Sequence, residues 1–481
     1  MHVIDADAYR PAPGRLVAFR PTDTMLSAAA RAEACGEQLS ANEGMHLAAA
    51  RNRPRADSWL ACAVDLPRPV DPCDLAEGLT RWARRHPTLR TGLRTGPGGG
   101  VQRFSVAARA LGFTAVEAGR ASDPRSTATW LTGLLDQACR PLAWPSYAFA
   151  AVLRGASTTV VCGLDHCHAD AHSLAIAAEE LTEILGAPAR GRTPRLPSVG
   201  GRPDVRPPRH PGADDFDRAG ALRTWERFLT AGDDALPAFP LPLGTVPGLA
   251  VASRSDHHHL LDATGTAALE HRCRQAEGTL FTGLLAATAL TTRRLGAPSP
   301  LRLLVPLHTR HQPHLARTIG WFTTVAPLTL ALGDRATLTA ALPAARTAFR
   351  HARTTAGLPL ESVTAAFAGR LRPTGGDVFM LSYLDYRTLT TTGEPPHARN
   401  PHHISRATAT DTLQLWFSRT RHGLFLRTRR PATALAGRTV TRFVHGLRQH
   451  LAEDGAAPCT PSTAVHPDER PRLRSIHPHT R

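Results

Sequence analysis

The chain contains no lysine. All 57 basic residues are arginine, set against 40 acidic ones, for a formal net charge of +17. With abundant Ala, Pro and Gly, this reads as the codon bias of a GC-rich genome. A positive field of this kind would attract nucleic acid, an acidic carrier protein or a phosphate-bearing coenzyme alike. Aromatic residues are scarce, at 5%, and no basic stripe is interleaved with them, which argues against nucleic acid. No run of about 18 apolar residues occurs, which argues against a helical membrane span. The opening residues MHVIDADAYRPAPGRL lack the basic-then-apolar order of a signal peptide, so a cytoplasmic protein is expected. The eight cysteines include no C-x-x-C pair and are expected to be free thiols. There is no G-x-S-x-G elbow. The GPGGG run at Gly96 to Gly100 lacks the lysine and the strand-to-helix context of a phosphate-binding loop.

At 481 residues the chain exceeds one ordinary core and suits two lobes. SWLACAVDL reads as a strand, PVDPCDLAEGLTRWARRHP as a helix, and LRTGLRT and VQRFSV as a hairpin around the glycines. A helix at STATWLTGLLDQACRPL precedes the strands YAFAAVLR and TTVVCGL. Such mixed order with hairpins predicts an α+β class. The composition divides the chain into a lobe at 1–186, a Pro/Gly/Arg-rich linker at 187–218, a second lobe at 219–455 and a Pro-rich polar tail at 456–481. In the second lobe the spacing predicts helices at TGTAALEHRCRQAEG, TLFTGLLAATALTTRRLG, LTAALPAARTAFRHARTTAG and AGRTVTRFVHGLRQHLAEDG. The strands LRLLVPL, DVFMLSYLDY, TLQLWFSRT and GLFLRTRR lie between them.

The richest stretch is LDHCHADAHS, Leu164 to Ser173. It connects the β-branched run TTVVCGL to a helix carrying Leu174, Ala177, Leu181, Ile184 and Leu185 at helical spacing, with Ser173 expected as the N-cap. Side chains there are set by rigid elements yet can face a cleft. His166, with an ordinary pKa near ~6.5, can take and return a proton near neutral pH. His166, His168, Asp170 and His172 also offer metal-donor types, and strand alternation would put the first three on one side. Trp321 and Phe322 read as core. The histidines at 257–259 and at 402–403 read as solvent-facing loop residues.

DHCHADA resembles the HHxxxDG motif of nonribosomal peptide synthetase condensation domains, in the looser HxxxD form of coenzyme-A-dependent acyltransferases. That superfamily also holds the polyketide-associated and plant BAHD types. Asp165 stands where the motif has its first histidine and Ala171 where it has glycine. RRHPTLRTGL, IGWFTTVAPLTL, AGLPLESV, LSANEGMHL and FMLSYLDYR are similar to further family segments, in order, over about residues 36–452. The resemblance implies two chloramphenicol-acetyltransferase-like lobes in a V around a tunnel. His166 would be the catalytic histidine, Asp170 a loop-holding carboxylate paired with Arg85 or Arg90, and the Ala171 N–H an oxyanion donor. Asp165 would raise the pKa of His166. Ser382 and Asp385, polar residues in an apolar strand, would reach the tunnel.

The implied activity is acyl or aminoacyl transfer from a phosphopantetheine thioester to an amine or hydroxyl, with no bound metal or organic cofactor. The donor would sit on an acyl or peptidyl carrier protein or on coenzyme A, the carrier being favoured by the basic surface. A small-molecule acceptor and a monomeric chain are expected. Two other readings stand beside this one: an ester-forming acyl-coenzyme A transferase of the polyketide-associated type, and a catalytically silent protein that docks carriers.

Overall fold

The computed structural model describes residues 1–36, 39–52, 58–188, 191–200, 216–246, 248–372, 377–389 and 399–452. The expected tail at 456–481 and residues 201–215 of the expected linker lie outside them.

Strand alternation organises the first half. Within Ser58–Leu66, the residues Leu60, Cys62, Val64 and Leu66 enter one core, while Trp59, Ala61 and Ala63 enter another. A period of two therefore buries both faces of this strand. On the first face lie the helices Pro72–Arg85 and Ala171–Gly186. On the second lies Pro124–Ala138, through Leu131 and Leu135. The seven-stranded sheet runs His2–Asp5, Arg399–Ala407, Ser58–Leu66, Thr158–Asp165, Tyr147–Leu153, Arg15–Pro21, Phe113–Arg120. Its second strand comes from the late chain, so the two halves share a sheet. The Gly-rich hairpin forms as expected, from Thr91–Thr95 and Val101–Ser105, with Gly98 and Gly99 at φ of 88° and 82°.

The second half holds a five-stranded sheet ordered Leu381–Asp385, Gln414–Thr420, Gly423–Pro431, Val251–Asp262, Ala409–Thr410. It also has the antiparallel pair Leu301–His308 and Thr323–Leu330. The helices Ala263–Gln275, Leu280–Arg294, Leu338–Arg353 and Ala434–Ala452 close one large apolar core. This α+β organisation matches the expected class. The seven described cysteines are all free. No described helix is long and apolar enough to cross a membrane.

His257 and His259 are exposed as expected, but both histidine groups lie in strands rather than loops, and His403 is buried. His257–His259 lie in the strand Val251–Asp262, where His257 Nε2 accepts from the Asp5 N–H at 3.2 Å. His403 lies in Arg399–Ala407, buried, with Nδ1 2.7 Å from the Tyr386 hydroxyl.

Gly163 sits in the strand that leads to the HCHAD segment, and a Cβ there would collide with the Leu135 side chain. Gly163→Val should therefore lower stability by roughly 1–3 kcal/mol through overpacking. Thermal unfolding checks this, and an unchanged midpoint would contradict the packing described.

Candidate active site

The strand Thr158–Asp165 ends on a carboxylate that redirects the chain. Asp165 Oδ1 accepts from the Cys167 N–H at 2.9 Å, and one 3₁₀ turn follows at His166–His168. The helix Ala171–Gly186 is capped by Asp170, whose Oδ1 accepts from the Ser173 N–H at 2.8 Å. Ser173 is thus inside the first turn and not the N-cap. Aspartate wins because its carboxylate reaches the third amide from a β-region backbone.

Asp170 is also the centre of a buried polar cluster. Arg310 donates to both its oxygens, at 2.6 and 2.9 Å, and the Phe322 N–H donates at 3.1 Å. Both charged residues are buried, at 5% and 7% exposure. Burial pushes the Asp170 carboxyl up, but the Arg310 charge and hydrogen bonds outweigh it and hold the pKa at about 2. The expected partners Arg85 and Arg90 are corrected here. Arg85 donates to Glu180 at 3.2 Å through Nε and Nη2. Arg90 lies in the short 3₁₀ turn Pro87–Arg90, its Nε buried. Arg310 supplies the pairing instead, from just beyond the strand Leu301–His308. A lone arginine after an apolar strand was the only sequence signal for it.

Ser173 extends the cluster. Its hydroxyl donates to the Gly320 carbonyl at 2.9 Å and accepts from the Gly320 N–H at 3.1 Å. With Gly320 and Phe322 both held, Trp321 between them is placed against His166, ring centroids 3.9 Å apart and planes 32° from parallel. Trp321 therefore leaves the core role expected of it, whereas Phe322 is buried beneath the Arg310 guanidinium, 4.5 Å from its ring.

His166 is half-buried, and its Nδ1 is buried without a partner. Burial foremost, then the charge of His46, lowers its pKa to about 4. The expected upward push from Asp165 is outweighed, because that carboxylate is turned to His46 Nε2 at 3.0 Å. His46, in the helix Ala41–Asn52, lies in the LSANEGMHL segment, but nothing there marked it as a site residue.

The four residues considered as metal donors part company. His168 Nε2 is 2.7 Å from the Ser146 hydroxyl, Asp170 meets Arg310, and His166 stacks on Trp321. His172 lines a cavity, its pKa lowered to about 4 by burial and then by Arg310. Among the described residues, the one group with three metal-donor atoms mutually within 4.8 Å is His46, Asp165 and Cys167. Burial, then Asp165, raises the Cys167 thiol well above its ordinary value, which keeps it protonated.

The cavity has a volume of about 650 Å³. Asp170, Ala171, His172, His308 and Arg310 form one wall, while Leu280, Phe281, Leu307, Phe349 and Tyr383 supply an apolar lining. Ser382 and Asp385 also line it, but His166 and Trp321 do not. The Ser382 hydroxyl is buried without a partner, whereas Asp385 is engaged by Arg387 at 2.6 Å. Ala171 and His172 open the helix, where first-turn amides have no intrahelical acceptor.

The chain falls in a known class: residues 40–370 match the condensation domain family, and the chain belongs to it. Among its relatives is the acyltransferase PapA3 of Mycobacterium tuberculosis, 25% identical over 364 residues, 74% of this chain and 76% of that protein. The trehalose-2-sulfate acyltransferase PapA2 of the same organism is 28% identical over 194 residues, 40% of this chain and 41% of its own. A solved PapA2 acyl transferase superposes with a TM-score of 0.84 at 21% identity, over 95% of this chain and 100% of that one. The first condensation domain of the calcium-dependent antibiotic synthetase gives 0.65 at 17% identity, over 87% and 97%. Family and relatives agree with the chloramphenicol-acetyltransferase-like architecture and with acyl transfer, and the chain is an acyltransferase of this family.

Replacing Arg310 by alanine leaves a buried carboxylate uncompensated and should cost on the order of 3–5 kcal/mol. The Asp170 pKa is depressed from 3.8 to about 2. Its contribution is therefore full above pH 3.8 and lost as pH falls toward about 2. Chemical denaturation of the parent and Asp170→Asn should show their stability gap narrowing across that window. A gap independent of pH would contradict the ion pair.

Proposed function

We propose that the protein transfers an acyl group from a phosphopantetheine thioester to a small nucleophilic acceptor, with His166 as the base. The observation that supports this most is a neutral imidazole held at a strand-to-helix turn whose helix opens on an apolar cavity. Burial and the neighbouring His46 charge keep the His166 ring unprotonated at pH 7. With the proton on Nδ1, Nε2 offers its lone pair.

The steps follow from elementary chemistry. The acceptor oxygen or nitrogen attacks the thioester carbonyl as its proton passes to His166 Nε2. The tetrahedral oxyanion faces the amides of Ala171 and His172, whose charge-aligned N–H groups favour it. The carbon–sulfur bond then breaks, and the leaving thiolate takes the proton from His166. Alanine at 171 keeps its N–H, so the lost glycine removes no donor. The apolar lining suits an acyl chain, and the unpartnered Ser382 hydroxyl is available to a polar group of a substrate.

A hydroxyl acceptor, giving an ester, is favoured over an amine. The relative named for trehalose-2-sulfate acts on a sugar that offers hydroxyls and no amine. The donor sits on coenzyme A or on an acidic carrier protein, since the formal charge of +17 attracts the phosphates of the one and the carboxylates of the other.

The test is mass spectrometry of acyl-coenzyme A and acyl-carrier thioesters incubated with the protein and an alcohol or amine. His166→Ala should lose roughly 10²–10⁴-fold in turnover while keeping thioester binding. His172→Ala should lose far less, and the reverse order would move the base to the histidine that lines the cavity. Because the His166 pKa is about 4, the parent rate should stay level through neutral pH and fall only as pH approaches that value. Consumption of no thioester from either donor would defeat the reading.

A further inference from the structure

We propose that His46 and Asp165 form a positioning pair for His166, acting through Trp321. This deepens, and rests on, the acyl-transfer reading. The two come from distant parts of the chain and meet at 3.0 Å, Nε2 to Oδ2. The other Asp165 oxygen is taken by the Cys167 N–H at 2.9 Å, which fixes the carboxylate. Asp165 is completely buried, and among the described residues its ionic partner is His46. The edge of the His46 ring meets Trp321, with centroids 6.0 Å apart and planes at 79°, and the indole lies against His166 at 3.9 Å. The sequence of contacts is therefore carboxylate, imidazole, indole, imidazole.

The helix carrying His46 is itself anchored. Glu43 caps its start, with Oε2 accepting from the Ser40 N–H at 2.8 Å, and also meets the buried Arg103 at 2.7 Å. Asn42 donates to the Thr323 carbonyl at 2.7 Å, two residues beyond Trp321. Leu47 packs with Leu93 and Cys167. His46 is thus held from both halves of the chain, as a positioning group must be.

A carboxylate so buried needs a cation. Burial alone would push the His46 pKa down, but its hydrogen bond to Asp165 and that charge carry it above 6.5. A proton on the His46 ring, 6.2 Å from that of His166, opposes protonation of the base. The other ionisable groups facing His166 are Asp165, Asp170 and His403. Those around the pair are Cys167, Cys139, Glu43 and Arg103. Asp165 stands where the motif has its first histidine, and His46, from another segment, meets that aspartate.

The test uses His46→Gln, Asp165→Asn and the exchanged pair His46→Asp with Asp165→His. Each single change should reduce kcat by roughly ten- to a hundredfold with a smaller effect on KM. The acid limb of the pH profile should move upward as the opposing charge is lost, and the exchanged pair should recover part of kcat. Independently of activity, the His46 resonance in a ¹⁵N-histidine-labelled sample should titrate above 6.5 in the parent and lower in Asp165→Asn. A parent His46 that titrates below 6.5 overturns the proposal even if no variant folds. Folded single variants with kcat within about twofold of the parent also overturn it. So does stoichiometric zinc that is lost in Cys167→Ser, since the cluster would then be a metal centre. Failure of the acyl-transfer reading is a separate result: the parent would consume no thioester while the His46 titration stayed as stated.

Discussion

The buried pair of Asp170 and Arg310 is the constraint on which the site depends. A carboxylate that caps a helix needs only one or two amides, yet this one also takes a two-pronged guanidinium and the Phe322 N–H. The added partners all come from the loop between the strands Leu301–His308 and Thr323–Leu330. One side chain therefore fixes the start of the helix Ala171–Gly186 and ties it to the second half of the chain. The same helix meets that loop again at Glu179, 2.7 Å from Arg317. Ile319, within the loop, is buried in the core of the first half, and its carbonyl accepts from the Thr88 hydroxyl at 2.6 Å. Trp321 has little freedom between such anchors, so the surface that seats His166 is made of two distant segments.

Much of the fold was legible because it is written in local periods. The strand before Asp165 and the helix after it follow from β-branched residues giving way to apolar residues three and four apart. The glycine-rich turn likewise announced its hairpin. What was not legible is long-range. The family resemblance points to Arg85 and Arg90 as partners of Asp170, and a lone arginine after an apolar strand does not by itself say that Arg310 meets a residue 140 positions away. His46 is missed for the same reason. The insertion of Arg399–Ala407 into the sheet of the first half depends on strand pairing across almost the whole chain. The exposure of His257 and His259 follows composition, but their strand is not legible from it, and neither is the burial of His403 against the Tyr386 hydroxyl.

Of the neutral histidines at the site, His166 and His172 have different claims on the chemistry. His172 touches the cavity, and burial, then the charge of Arg310 near the first helical turn, keeps it unprotonated. His166 does not line the cavity and is instead laid on an indole. A base needs a fixed ring and a free lone pair more than it needs a large contact surface. By that measure the stacked histidine is the better placed of the two, and His172 is suited to shaping the wall.

The absence of lysine bears on this electrostatic arrangement. Every buried side-chain cation other than a histidine is a guanidinium, which stays charged and spreads its donors over several acceptors. Arg310, Arg317, Arg103 and Arg427 are all buried. Lysines in these positions could shed their protons under the same burial, but arginines hold their charge. Buried histidines beside such fixed charges are driven neutral: burial foremost, then Arg427, lowers the pKa of His403 to about 3, and burial, then Arg310, that of His172 to about 4. In that setting a protonated imidazole requires its own carboxylate, and His46 has one in Asp165. Codon bias suffices to explain why arginine is so abundant, but its burial among histidines has a chemical consequence: imidazoles without a carboxylate partner stay available as bases.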